Sequence, residues 1–221
     1  MIRVFTLNGK GMMEFKFVFP MDGMWTFESK LAGDLGVSAG DVIAFSDNTG
    51  DPDINMEVVN YGSPGGRTTV LAMPVGYSKL SAICRPTFLQ NPSCDNLLSS
   101  VYGGQAEFLS TKPEFGDNLT VPGTLTGWKA IKRYIDQNAR FSRSGVLQIG
   151  DPAASDVSSR FAFMDYNATS NLLQIGIVDD MWIDVGQTIF GSVVQSAMYE
   201  FNEEGLRITL EVNGEPAINS K

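Results

Sequence analysis

The stretch from Thr188 to Val212 reads TIFGSVVQSAMYEFNEEGLRITLEV. Leu206, Ile208, Leu210 and Val212 alternate with Arg207, Thr209 and Glu211, the pattern of a strand with one buried and one wet face. Ahead of it, Thr188 to Phe201 is the longest strand signal in the chain. Glu203-Glu204-Gly205 between them is a short turn, with glycine where a bulge needs it. The spacing predicts a long amphipathic hairpin, and Phe161 to Met164 and Leu172 to Val178 extend the β character toward the middle of the chain.

The other end reads the same way. Arg3 to Leu7 and Met12 to Phe19 flank Asn8-Gly9-Lys10-Gly11, a hairpin signal because the glycines accept positive φ. Met13, Phe15, Phe17 and Phe19 alternate with Glu14, Lys16 and Val18, so one face is heavily apolar. Trp25 to Leu31, Val42 to Phe45, Met56 to Tyr61 and Thr68 to Met73 follow, the last two separated by Gly62-Ser63-Pro64-Gly65-Gly66. Short strands with regular turn signals predict a barrel or a sandwich.

Two helical patterns interrupt the strands. Ser93 to Tyr102 starts on a capping serine, places Cys94, Leu97, Leu98 and Val101 on one face, and ends at Gly103. Gly127 to Ala139 places Trp128, Ile131, Tyr134 and Ile135 on an apolar stripe, with Lys129, Lys132 and Arg133 opposite. Ala139 to Phe141 and Val146 to Ile149 then read as a small hairpin. The expected fold is mainly β with a small α/β insertion: two β-barrel-like domains bridged by a two-helix layer. Its expected boundaries are 1–88, 89–158 and 159–221.

Composition narrows the chemistry. With 221 residues, 43% of them hydrophobic and 19% charged, the chain can bury a full core without metal or disulfides. There is no histidine, which excludes Ser-His-Asp and Cys-His catalysis and histidine-ligated metals for the isolated chain. The net charge of −9 opposes a non-specific grip on nucleic acid, which needs clustered cations. Cys84 and Cys94 lack a metal-binding or redox spacing and read as packed or idle thiols. No apolar run is long enough to span a bilayer and no signal-peptide pattern opens the chain, so synthesis in a cytoplasm is expected.

Several local features invite a site, each with a plainer reading. Asp47, Asp51 and Asp53 could offer oxygen ligands to calcium, but their spacing is not that of an EF-hand and the run reads as a solvated turn. Asp179 and Asp180 beside Trp182 and Asp184 could flank a sugar, or mark a polar strand end next to a packed tryptophan. Lys129, Lys132, Arg133, Arg140 and Arg143, interleaved with Trp128, Tyr134 and Phe141, could bind single-stranded nucleic acid. The periodicity instead makes these cations the wet side of a packed stripe. Asn118-Leu119-Thr120 and Asn167-Ala168-Thr169 match glycosylation acceptors only formally, and Pro64-Gly65-Gly66 is a turn with no helix behind it to cradle phosphate. No catalytic, cofactor-binding or metal-binding residue is assigned.

The second half resembles the hub proteins of phage tails and related contractile injection systems. The matching phrases are Phe88 to Tyr102, Asn118 to Gly123, Trp128 to Ile149, and Val185 through Phe190 with Val193 to Ser196 and Leu206 to Val212. In that family one barrel is followed by a helix, an extended stretch, and a second helix leading into a short hairpin. A second barrel then ends in a long hairpin. The chain is shorter than most hubs, and its Gly150 to Arg160 connection leaves little room for another domain. The resemblance implies a non-enzymatic virion protein of the tail, made in the host cytoplasm. It also implies a homo-oligomer, with a trimer of two-barrel chains forming a pseudo-six-fold ring that meets other tail or baseplate proteins. The alternatives are a β-sandwich receptor or glycan-binding module using Trp25, Trp182 or Tyr199 as platforms, or a capsid or spike protein built on one sandwich. An enzyme, the least favoured class, would have to use carboxylates such as Asp179 or Asp184.

Overall fold

The computed structural model describes residues 4–49, 51, 53–104 and 106–217. Arg3 of the first expected strand, and Gly50 and Pro52 in the acidic loop, lie outside the described residues. The mainly β expectation holds. Among the described residues, sixteen strands and three α-helices follow one another in the expected β, α/β, β order.

The N-terminal part is a closed six-stranded barrel. Its strands are β1 (Thr6–Leu7), β2 (Lys10–Pro20), β3 (Thr26–Ala32), β4 (Val42–Ser46), β5 (Ile54–Gly62) and β6 (Arg67–Pro74). Around the ring they run β1-β4-β5-β6-β3-β2, and β1 returns to β2 through Thr6↔Gly11 and Leu7↔Lys10. Asn8 and Gly9, at φ 47° and 75°, make the two-residue turn that the right-handed strand twist requires. Phe15, Phe17, Phe27 and Phe45 fill the barrel, with Phe17 and Phe27 centroids 4.5 Å apart.

The middle layer begins with a short helix that the sequence pattern did not reveal, α1 (Tyr77–Ser81). It continues with β7 (Thr87–Gln90), α2 (Cys94–Val101), β8 (Ala106–Phe108), β9 (Asn118–Val121), α3 (Gly127–Tyr134), β10 (Ala139–Phe141) and β11 (Leu147–Ile149). The Ser93 hydroxyl accepts from the Asn96 amide at 3.1 Å and the Thr126 hydroxyl from the Lys129 amide at 3.3 Å, so both main helices carry side-chain N-caps. The second helix stops at Tyr134, short of the expected Ala139, because Ala139 is fully buried as the first residue of β10. Its buried residues are Gly127, Ala130 and Ile131, whereas Trp128 and Tyr134 are only half-buried. Gly127 has no room for a side chain: a Cβ there would lie 2.6 Å from the Val101 carbonyl oxygen. The β10–β11 hairpin forms as expected, and β8 joins it in parallel.

The C-terminal part comprises β12 (Phe161–Asn167), β13 (Leu172–Ile177), β14 (Thr188–Ile189), β15 (Ser192–Asn202) and β16 (Gly205–Asn213). The expected single strand from Thr188 to Phe201 is broken, because Phe190 and Gly191 both turn at positive φ. The order β12-β13-β16-β15-β14 curls round until Asp156 bridges Thr188, with the Val157 amide 2.9 Å from the Thr188 carbonyl oxygen. The last side of this barrel-like ring is thus a short bridge and not a full strand pair.

The two parts are not independent sheets. Beyond its short pairing with β1, the same edge of β2 pairs with β15 from Phe15↔Phe201 to Pro20↔Ser196. Likewise β15 gives β14 the edge at Ser192 and Val193, then gives β2 the rest. Each long strand is irregular where it changes partner: register shifts fall between Met12 and Glu14 on β2 and between Val194 and Ser196 on β15. A bulge bends and twists a strand locally, which is what lets one strand leave one ring and enter the other. Both rings and the middle layer therefore share one continuous hydrophobic core.

Candidate functional site

The residues marked as candidate ligand platforms are inside the protein. Trp25 and Tyr199 are fully buried, and Trp182 is 4% exposed. Trp182 comes from the segment between β13 and β14, yet it packs against Phe17, Phe19 and Phe45 of the N-terminal barrel and lies 4.8 Å from Tyr199. Its indole nitrogen donates to the Asp47 carboxylate at 2.8 Å. The main chain of Ile183 donates to the Tyr199 hydroxyl at 2.8 Å, and burial pushes that phenol far above its ordinary pKa. The reading of these aromatics as sugar platforms is therefore corrected: Trp182 and Tyr199 wedge the two rings together, and Trp25 donates to the Ser142 carbonyl oxygen of the middle layer at 2.9 Å.

The acidic candidates are likewise occupied in structure. Asp47 is buried and accepts from Trp182 and from Thr49, while Asp51 pairs with Arg143 at 3.2 Å. Asp180 pairs with Arg160 at 3.0 Å and accepts from the Trp182 amide, which fixes the segment that carries the wedge. Among the described residues no group of three or more Cys, Asp and Glu side chains is arranged to hold a metal ion. The cysteine thiols are free, and burial raises both of their pKa values.

The basic residues do not form one surface. Lys132 pairs with Asp22 at 2.5 Å, and Arg143 lies over the Trp182 ring, 5.1 Å from its centre. Arg140 is 3% exposed. Stacking of Trp128 on Phe141, with centroids 6.1 Å apart, uses an aromatic that a nucleic-acid base would need. With two of the five cations in ion pairs and a third buried, the set lacks the cationic track that single strands require.

The surface offers a different kind of site. On the outer face of the β2–β15 seam, Glu28, Lys16, Glu200 and Arg207 stand in directly opposed register on four adjacent strands. Lys16 and Glu200 approach to 3.1 Å, and Glu14 pairs with Lys30 in the next row. This alternating ladder pins the seam's register but, being solvent-exposed, stabilises it only modestly. At the far end of the sheet, no described strand pairs with the outer edge of β12. Met164 bulges there between Phe163 and Asp165, 64% exposed, on the same face as Ala162 and Gly176. Val178, just beyond β13, is exposed as well. The free backbone N–H and C=O groups of an unpaired edge are a template for another chain. The β strand was legible from sequence, but its position at the sheet's end was not.

No family model matches the sequence, and no curated protein matches it. Solved structures do. The 43 kDa tail protein of prophage MuSo2 from Shewanella oneidensis superposes with a TM-score of 0.68 at 10% identity, covering 96% of this chain and 97% of that one. The fold is that of phage tail proteins. A tail protein from Neisseria meningitidis MC58 gives a TM-score of 0.64 at 8% identity, covering 97% of each chain. The E. coli c3393 protein gives 0.66 at 11% identity, covering 96% of this chain and 77% of that one. It is described as a component of the type VI secretion system with structural similarity to the T4 tail proteins gp27 and gp5. At these identities the likeness resides in the fold, and it covers nearly the whole chain and not the second half alone.

Proposed function

We propose that the chain is a structural virion protein of a tailed phage, a hub-like or baseplate ring subunit that links tail tube to tail tip by self-association. The observation that carries this reading is the match of nearly the whole chain, both rings and the middle layer in one order, to tail and injection-system proteins. The architecture supports it physically. A protomer whose two rings share β2 and β15 and a common core is stiff between its rings, so three copies would present six ring-like units at fixed angles. In such an assembly the open β12 edge with Met164 would face a sister copy or a neighbouring tail protein. The protein would be made in the host cytoplasm, reside in the virion tail and work by geometry and not catalysis. The glycan-module alternative has lost its platforms to burial, and ring closure argues against a single sandwich.

Multi-angle light scattering with symmetry-resolved electron microscopy tests the proposal. The expected result is a three-fold ring, alone or with tail partners; a protein that stays monomeric at high concentration and beside those partners would refute it. Met164→Asp should weaken association at least about tenfold with an unchanged circular dichroism spectrum, since a charge on an exposed edge blocks strand docking.

A further inference from the structure

A crevice of about 300 Å³ lies between the β10–β11 hairpin, the loop after Gly150 and the segment around Asp184. Phe19, Phe141, Pro152, Ile183 and Val185 form much of its wall, and Arg140 and Arg143 line it together. The volume is at the small end of ligand-binding cavities.

Arg140 is unusual there. Its residue is almost wholly buried and desolvation holds its pKa below the ordinary arginine value, yet none of its nitrogens is a fully buried atom without a hydrogen-bond partner, so the crevice still admits solvent to them. Among the described residues its side chain makes one hydrogen bond, from Nη1 to the Gly150 carbonyl oxygen at 3.2 Å. A guanidinium has five N–H donors in a planar fork, and no described carboxylate comes within ion-pair distance of this one, so the donors not bonded to Gly150 are left to the crevice. Arg143, by contrast, is engaged with Asp51 and the Trp182 ring.

We propose that this crevice receives a single carboxylate, an Asp or Glu side chain of a neighbouring polypeptide, with Arg140 as its anchor. The fork geometry of arginine matches a carboxylate or a phosphate. The surroundings choose between them. Asp151, Asp184 and Glu107 act on Arg140 through space without bonding to it, and they would repel a doubly charged phosphate more than a singly charged carboxylate. The apolar wall would take the stem of the entering side chain. This inference is independent of the ring proposal, because it concerns a pocket complete within one protomer.

The test is TROSY NMR on the deuterated full chain, titrated with N-acetylglutamic acid α-amide, its neutral glutamine analogue, acetate and inorganic phosphate. Saturable shifts at the amides of residues 142–144, 150 and 187 are expected with the capped glutamate, with a Kd of about 1–10 mM, the strength of one charge-assisted pair. The glutamine analogue should give none. Arg140→Lys should weaken binding about tenfold. Ala153→Trp, which plugs the crevice from its exposed loop without touching Arg140, should abolish binding and covers the case in which the arginine variant fails to fold. The proposal is overturned by no saturable shift, by equal shifts with the neutral analogue, by binding that survives Ala153→Trp, or by tighter binding of phosphate. Acetate binding as tightly as the capped glutamate would reassign the site to free small acids and overturn the polypeptide source.

Discussion

Replacing Trp182 tests how the two rings are held together. Trp182→Phe keeps an aromatic ring among Phe17, Phe19, Phe45 and Tyr199 but deletes the 2.8 Å hydrogen bond to Asp47. A hydrogen bond to a charged group contributes about 1.5–3 kcal/mol, and the buried carboxylate oxygen left without its donor adds to the cost. Loss of part of the indole's buried area brings the expected destabilisation to about 2–4 kcal/mol. Trp182→Ala, which also opens a cavity at the seam, should cost at least about 3–5 kcal/mol, a large share of the roughly 5–15 kcal/mol typical of a folded protein. Urea unfolding followed by circular dichroism, at fixed protomer concentration, reads both. In a double-mutant cycle with Asp47→Ala, the two sites should couple by about 1–2 kcal/mol. A cost below about 0.5 kcal/mol for Trp182→Phe, additive with Asp47→Ala, would show that the wedge bond does not join the rings.

Three further predictions follow from local geometry. Tyr199 has a folded pKa above its unfolded value, so its contribution is intact below about pH 10 and fades as pH rises from there; Tyr199→Phe should flatten the alkaline fall in urea midpoint. A Cβ at Gly186, which sits at φ 88°, would come 1.9 Å from Pro152 Cγ, so Gly186→Ala should sharply lower the thermal midpoint, and adding Pro152→Ala should recover only part of the loss. Ser93→Ala should destabilise the protein by about 1 kcal/mol through loss of the α2 cap, measurable in the same urea assay.

Both helix starts were legible because capping is a contact between residues three apart, and the Asn8-Gly9 hairpin because its turn conformation belongs to two residues alone. Alternation along Leu206 to Val212 likewise marked the buried face, which Ile208, Leu210 and Val212 occupy in β16. The break at Phe190-Gly191 was less visible, since the residues on both sides favour a strand and the turn is held by pairing of β14 with β15. Trp182 was legible as a packed tryptophan beside a polar strand end, but its partner was not: Asp47, 135 positions away, receives its N–H. Arg140 looked like one cation of a basic cluster, and only the packing of the hairpin against the Gly150 loop buries it.

The sequence by itself determined most of the strands, the two capped helices, the hairpin turns near both ends of the chain and which chemistry the absence of histidine rules out, because those properties depend on neighbours along the chain. Tertiary structure alone decided that β2 and β15 each divide one edge between two partners, that no described strand covers the outer edge of β12, and that a tryptophan from one ring packs into the core of the other. A strand's two edges carry the same backbone donors and acceptors, so its own residues cannot say which strand will pair with which stretch of either edge.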